Sequence, residues 1–144
     1  MAEIVKMESI VLDMPSETHE DAIRRCGKML VDAGYVSSRY VEGMLARDRD
    51  FSTAIGNYIA IPHGAKEYKD DILETGLVVV TYPEGIDWGG QKVHLVIGIA
   101  AQGDAHLDIL ENIVSKLEDG DDVLALVNAH DKNAVYATLT GGPE

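Results

Sequence analysis

The chain has 144 residues, enough for one domain with a real core and too few for two comfortable ones. Hydrophobic residues make up 46% of it, and 25 acids against 12 bases give a net charge of −13. That balance argues against nucleic acid, whose binding needs a basic footprint, and suits either plain solubility or a partner with a positive face.

Taken in chain order, strands and helices alternate. A first strand is predicted over 8–13. Helix one opens near Ser16 or Thr18, with caps and acids at its start, and its apolar stripe is Ala22, Ile23, Cys26, Leu30 and Ala33. Gly34 stops it. Cys26 within that stripe reads as a small buried apolar residue, and a single cysteine permits neither an internal disulfide nor a cysteine-cluster metal site. A second helix starts at Ser37 or Ser38 and carries Val41, Met44 and Leu45 on one face. It runs out at the charged stretch Arg47-Asp48-Arg49-Asp50.

The next stretch, Gly56-Asn57-Tyr58-Ile59-Ala60-Ile61-Pro62-His63-Gly64, is the most informative in the chain. Its short apolar run reads as a strand that stops at Pro62, which cannot donate a ladder hydrogen bond. His63 follows at once. Gly64 then frees the backbone to turn and leaves room for something to approach. A histidine so presented suits contact from outside, although an isolated Pro-His-Gly is more often an ordinary turn.

A polar loop leads to a β-branched strand over 77–82, typical of burial on both faces. Pro83-Glu84-Gly85 and Gly89-Gly90 bound a long connection containing Trp88. A second buried strand covers 93–101, Gln102-Gly103-Asp104 forms a turn and cap, and a third helix runs from 105 to about 118. Two short helical segments, around 123–129 and 134–139, finish the chain before a loose Gly141-Gly142-Pro143-Glu144 tail. The alternation implies an α/β fold, a mixed β-sheet core flanked by helices, as a single compact domain over 1–144. No apolar run approaches 18 residues and no signal-peptide pattern begins at Met1, so a soluble cytoplasmic protein is expected.

Four further histidines compete for attention. His106 shares a helical face with Ile109, Leu110, Ile113 and Leu117, and also lies in the first turn of helix three. There the unpaired N–H groups and partial positive charge favour a neutral imidazole and can hold an anion. A core histidine bonded to its own cap is the alternative. His19 sits in an exposed first turn, His94 begins a strand at the sheet's rim, and His130 closes a short helix; none has a ligand-like neighbour in sequence. With no His-x-His and no His-Glu-x-x-His, no metal site is expected. The absence of a Gly-x-Ser-x-Gly or P-loop leaves little support for a hydrolase or nucleotide enzyme.

Arg47, Ser52-Thr53, Gly56 and Ile59-Ala60-Ile61-Pro62-His63-Gly64 together resemble the active-site signature of the mannitol/fructose class of enzyme IIA in the bacterial phosphoenolpyruvate-dependent sugar phosphotransferase system. The resemblance covers nearly the whole chain. Gly34-Tyr35-Val36 and Tyr40-Val41-Glu42-Gly43-Met44-Leu45-Ala46-Arg47 are typical of its second helix. Leu95-Val96-Ile97-Gly98-Ile99-Ala100-Ala101, then His106, matches the strand and helix carrying its second histidine. These residues and Tyr82-Pro83-Glu84-Gly85 resemble the mannitol branch more than the fructose or nitrogen-regulatory branches. The charged Arg49-Asp50-Phe51 departs from the less charged turn of the family.

The resemblance implies that His63 is the phosphoryl-accepting histidine, His106 the second active-site histidine and Arg47 the active-site arginine, selected over Arg49 by its spacing to Ser52-Thr53 and Gly56. It implies a phosphotransferase that takes the group from phospho-HPr and passes it to a IIB protein or domain. Sugar uptake then proceeds through a membrane IIC component, with no sugar bound by this chain. No cofactor is implied, since the substrate arrives already activated on a protein. The residue types suit that chemistry. Neutral imidazole is a good nucleophile near pH 7, and an arginine can fork two phosphoryl oxygens where a lysine cannot. A regulatory protein of the same fold, whose histidine phosphorylation controls binding to a transport or signalling target, is the leading alternative. A non-catalytic interaction domain is the third.

Overall fold

A computed structural model describes residues 5–50, 52–64, 66–101, 111, 115, 117 and 119–140. The predicted helix over 105–118 falls almost wholly outside these residues, and His106 lies outside them with it.

Strands β1 (Val5–Val11), β2 (Ala54–Gly56), β3 (Ile59–Ala60), β4 (Gly76–Trp88) and β5 (Gln91–Ala100) form one five-stranded sheet in the order β1-β4-β5-β3-β2. It is mixed: β1 runs parallel to β4 and β3 parallel to β5, while β4 with β5 and β2 with β3 are antiparallel. The α/β reading therefore holds, with a mixed sheet as expected.

The sheet is apolar on both sides, which explains the unbroken hydrophobic runs. Alternate side chains on a strand point to opposite faces. Val78, Val80 and Tyr82 of β4, with Val96 and Ala100 of β5, meet helices α1 (His19–Asp32) and α2 (Tyr40–Asp50). Leu77 and Val79, with Leu95, Ile97 and Ile99, meet α3 (Gly120–Asn128) and α4 (Lys132–Thr140). Among the described residues, two layers of helix thus close over one sheet.

Local chemistry sets the helix ends. Thr18 caps α1, its hydroxyl accepting from the Asp21 amide at 3.1 Å. At the other end Gly34 takes φ +86°, and the Tyr35 and Gly34 amides bond back to the Leu30 and Val31 carbonyls, each at 3.0 Å. These are the paired bonds of a Schellman stop, and they bear out the reading of Gly34.

Three expectations need correction. β4 does not end at Tyr82. It continues to Trp88, with a register shift between Thr81 and Ile86, so the expected long connection is a strand with a bulge followed by a tight Gly89-Gly90 turn. Pro83 is tolerated there because a bulge needs no ladder donor at that position. β2 was not foreseen, being only three residues long. His94 is not at the rim: it lies inside β5, is 9% exposed, and its Nδ1 donates to the Tyr82 carbonyl at 2.9 Å.

Candidate functional site

His63 stands just beyond β3, where the chain runs beside the far end of β5. The Ile99 amide donates to the Pro62 carbonyl at 3.0 Å, and His63 pairs with Ile99 in parallel register. Pro62 can sit here because the ladder uses its carbonyl, not the donor it lacks. The imidazole is half-buried, and its Nδ1 lies 2.8 Å from the carbonyl oxygen of Ile61. A carbonyl oxygen only accepts, so Nδ1 carries the proton of the neutral ring and Nε2 carries the lone pair. The local backbone thereby selects which ring nitrogen is nucleophilic.

Gly64 is required by close approach. A Cβ there would lie 2.4 Å from Cε1 of the Tyr40 ring. The Gly64 amide donates to the Tyr40 hydroxyl at 2.8 Å, and that hydroxyl donates to the Ile99 carbonyl at 3.0 Å. Burial pushes the Tyr40 hydroxyl above its ordinary pKa, against a smaller lowering by the Gly64 amide, so it stays protonated at neutral pH.

The chain after Gly64 is also tied to α2. Asp71, at the end of a 3₁₀ turn (Lys66–Asp71), accepts from the Ser37 hydroxyl at 2.7 Å and from Arg39 at 2.9 Å. The Tyr68 ring packs where Gly43 has no side chain.

Arg47 is half-buried in the last turn of α2, and Arg49 is exposed. Between them Asp48 anchors the segment leading to β2. Its Oδ1 accepts from the Thr53 amide at 2.9 Å, the Thr53 hydroxyl at 2.7 Å and the Trp88 indole at 3.0 Å. His19 Nε2 lies 3.3 Å from Oδ2, and the His19 ring packs 5.4 Å from Trp88. Asp48 is thus a buried hub rather than a solvated helix end. Ser52-Thr53 matter here because Thr53 is the hub's partner.

The sequence reading missed Tyr40, Asp48 and Trp88, and it placed His19 in an exposed turn, whereas that ring is half-buried between Asp48 and Trp88. Tyr40 could have been placed on the buried face, since it precedes Met44 by four positions, one helical turn. Nothing local points to its bond with Gly64, 24 residues away. Among the described residues no group of three or more His, Cys, Asp or Glu is placed to hold a metal ion, and no helix is long and apolar enough to cross a membrane.

The histidine thus stands at the end of a parallel strand pair with its tautomer fixed, and the helix whose first residue holds the turn after it carries Arg47 and Arg49 in its last turn. The sequence-family model described as "Phosphoenolpyruvate-dependent sugar phosphotransferase system, EIIA 2" matches residues 3–141, and the chain belongs to that family. It is a IIA component of a phosphotransferase system. It is 38% identical over 136 residues to a protein named mannitol-specific phosphotransferase enzyme IIA component from Halalkalibacterium halodurans, covering 94% of each chain. The crystal structure of IIA mannitol from Escherichia coli superimposes with a TM-score of 0.85 at 37% identity, over 93% of this chain and 97% of that one. A solution structure of the Escherichia coli complex of enzyme IIA-mannitol with phosphorylated enzyme IIB-mannitol gives 0.88 at 36% identity, over 96% and 99%.

Proposed function

We propose that the chain is a cytoplasmic phosphoryl carrier of a mannitol-type system, accepting the group from phospho-HPr on His63 Nε2 and passing it to a IIB component. The observation that carries this reading is the Nδ1–H bond from His63 to the Ile61 carbonyl, which leaves the lone pair on Nε2 at a strand end. The names of the relatives supply the sugar and the acceptor.

In the forward step Nε2 attacks phosphorus as the P–N bond to the donor histidine breaks. The proton on Nδ1 stays in place, and the Ile61 carbonyl stabilises the positive charge that develops on the ring. The transition state spreads charge over three phosphoryl oxygens, so the protein's task is in-line positioning and charge neutralisation. Arg47 serves the second need with its forked donors. His106 acts as the second histidine, donating to a phosphoryl oxygen or orienting His63. Onward transfer reverses the geometry, with the IIB thiolate as nucleophile.

Incubation with the general phosphotransferase enzymes, HPr and labelled phosphoenolpyruvate tests the assignment. Wild-type protein should take up acid-labile label and discharge it to a mannitol IIB domain. His63→Ala should take up none while keeping its fold. Label on the alanine variant would remove His63 from its role, and label that a IIB domain cannot discharge would favour the regulatory alternative.

A further inference from the structure

We propose that Tyr40 is a positioning residue for phosphoryl transfer: its hydroxyl locks the turn that carries His63 onto β5 and so sets the direction in which Nε2 faces the donor. The inference rests on the reading of His63 as acceptor and concerns a residue with no other stated part in the reaction.

Four observations converge on it. The Tyr40 side chain is almost wholly buried, at 2% residual exposure. Its hydroxyl uses both its donor and one acceptor site on backbone, taking the amide of Gly64 and giving to the carbonyl of Ile99. Those two groups flank His63: Gly64 follows it in the chain, and Ile99 is its bridge partner across the sheet. The hydroxyl therefore closes a ring around the histidine's own backbone. The Tyr40 ring also fills the space a Cβ at Gly64 would need, so phenol and glycine are one fitted device.

The helix beneath extends the point. Arg47 lies seven positions after Tyr40, two turns along the same side of α2 and about 10 Å away by helical rise. One rigid helix thus holds the His63 turn at its first residue and the candidate phosphoryl-binding arginine in its last turn. Loss of the hydroxyl uncouples the turn from that helix while the ring still packs. Because the donor of Tyr40 is already given to Ile99, it acts through His63 and not on the phosphoryl group.

Transfer from phospho-HPr is measured for wild type, Tyr40→Phe, His63→Ala and Leu30→Val. The last is a comparator that thins the same core layer away from the turn. Maximal rate and KM are taken separately and normalised to the folded fraction, and hydrogen exchange is followed at the Gly64 amide. Tyr40→Phe should lower the maximal rate by about ten- to a hundredfold with KM changed by less than about twofold, and should expose the Gly64 amide to exchange. Leu30→Val should lose stability and keep the wild-type rate. A wild-type rate in Tyr40→Phe beside an inactive His63→Ala would overturn this inference and leave His63 standing. An equal slowing in Leu30→Val would reduce Tyr40 to a stability residue. Acceptance of phosphate by His63→Ala would remove the acceptor reading, and this inference with it.

Discussion

Arg47 and Arg49 are two residues apart, carry the same charge and differ in setting: one is half-buried, the other is exposed. Arg47→Lys keeps the charge and loses the planar fork. Phosphoryl transfer to His63 should slow by roughly ten- to a thousandfold, equivalent to a few kcal/mol, whereas Arg49→Lys should cost far less. Rapid-quench transfer rates for the two variants decide it, and equal behaviour would mean that neither guanidinium meets the phosphoryl group. At this scale the backbone setting of His63 was legible. Pro62-His63-Gly64 announces itself because proline, histidine and glycine each leave a local mark on the backbone. Asp48 and Tyr40 leave none. Their partners are Thr53, Trp88, Gly64 and Ile99, and only the folded chain brings the distant ones within reach. His94 was misplaced for the same reason: the carbonyl of Tyr82 that lets a polar ring sit inside the sheet belongs to another strand.

Elements tell a different story, because their ends depend on neighbours. The helix α1 was readable from stripe, cap and stop. β4 was not readable past Tyr82, since proline and glycine signal a loop unless a partner strand can absorb a bulge, and β5 does so. The three residues of β2 are too few for a period-two pattern, and they pair only because Asn57 and Tyr58, at φ +54° and +68°, turn the chain straight back. α1 is pinned to β4 by a second polar device. Arg25 makes bonds of 2.8 and 3.0 Å to the two Glu17 oxygens, and the Tyr82 hydroxyl donates to the same carboxylate. The Arg25 bonds, opposed by burial and aided by Tyr82, hold Glu17 below its ordinary carboxylate pKa. A carboxylate lowered in the folded state adds stability above its unfolded value, near pH 4.3, and that contribution is lost as pH falls through the folded value. Glu17→Gln should therefore be less stable than wild type at pH 7, and the gap should close toward pH 3. Thermal midpoints of both proteins across that range test this; a gap that stayed constant with pH would show that the carboxylate's charge is not what binds α1 to the sheet.

For the whole molecule the dominant quantity is the net charge of −13. If the donor presents a positive face, such a charge accelerates their encounter and does little once the two are docked. Raising salt from about 50 to about 500 mM should lower kcat/KM for phospho-HPr by roughly tenfold or more while kcat moves much less. A salt-independent kcat/KM would mean that the acidity serves solubility alone. Composition and alternation were enough to state an α/β fold with a mixed sheet, because two buried faces force continuous apolar strands. The order β1-β4-β5-β3-β2 was beyond reach, since pairing partners are chosen by the packing of elements far apart in the chain.

Trp88 is the only tryptophan in the chain and is 1% exposed, with its indole on Asp48 and its ring beside His19. The protein therefore carries a built-in optical gauge at one known joint, next in sequence to Arg47. Its emission should be that of a shielded indole, and any event that draws the end of α2 toward a bound phosphoryl group should change its intensity with no label attached. Because a single indole, excited beyond the absorption of the six tyrosines, reports from a single place, such a trace would separate movement at this joint from unfolding of the sheet, which would shift the emission to that of indole in water.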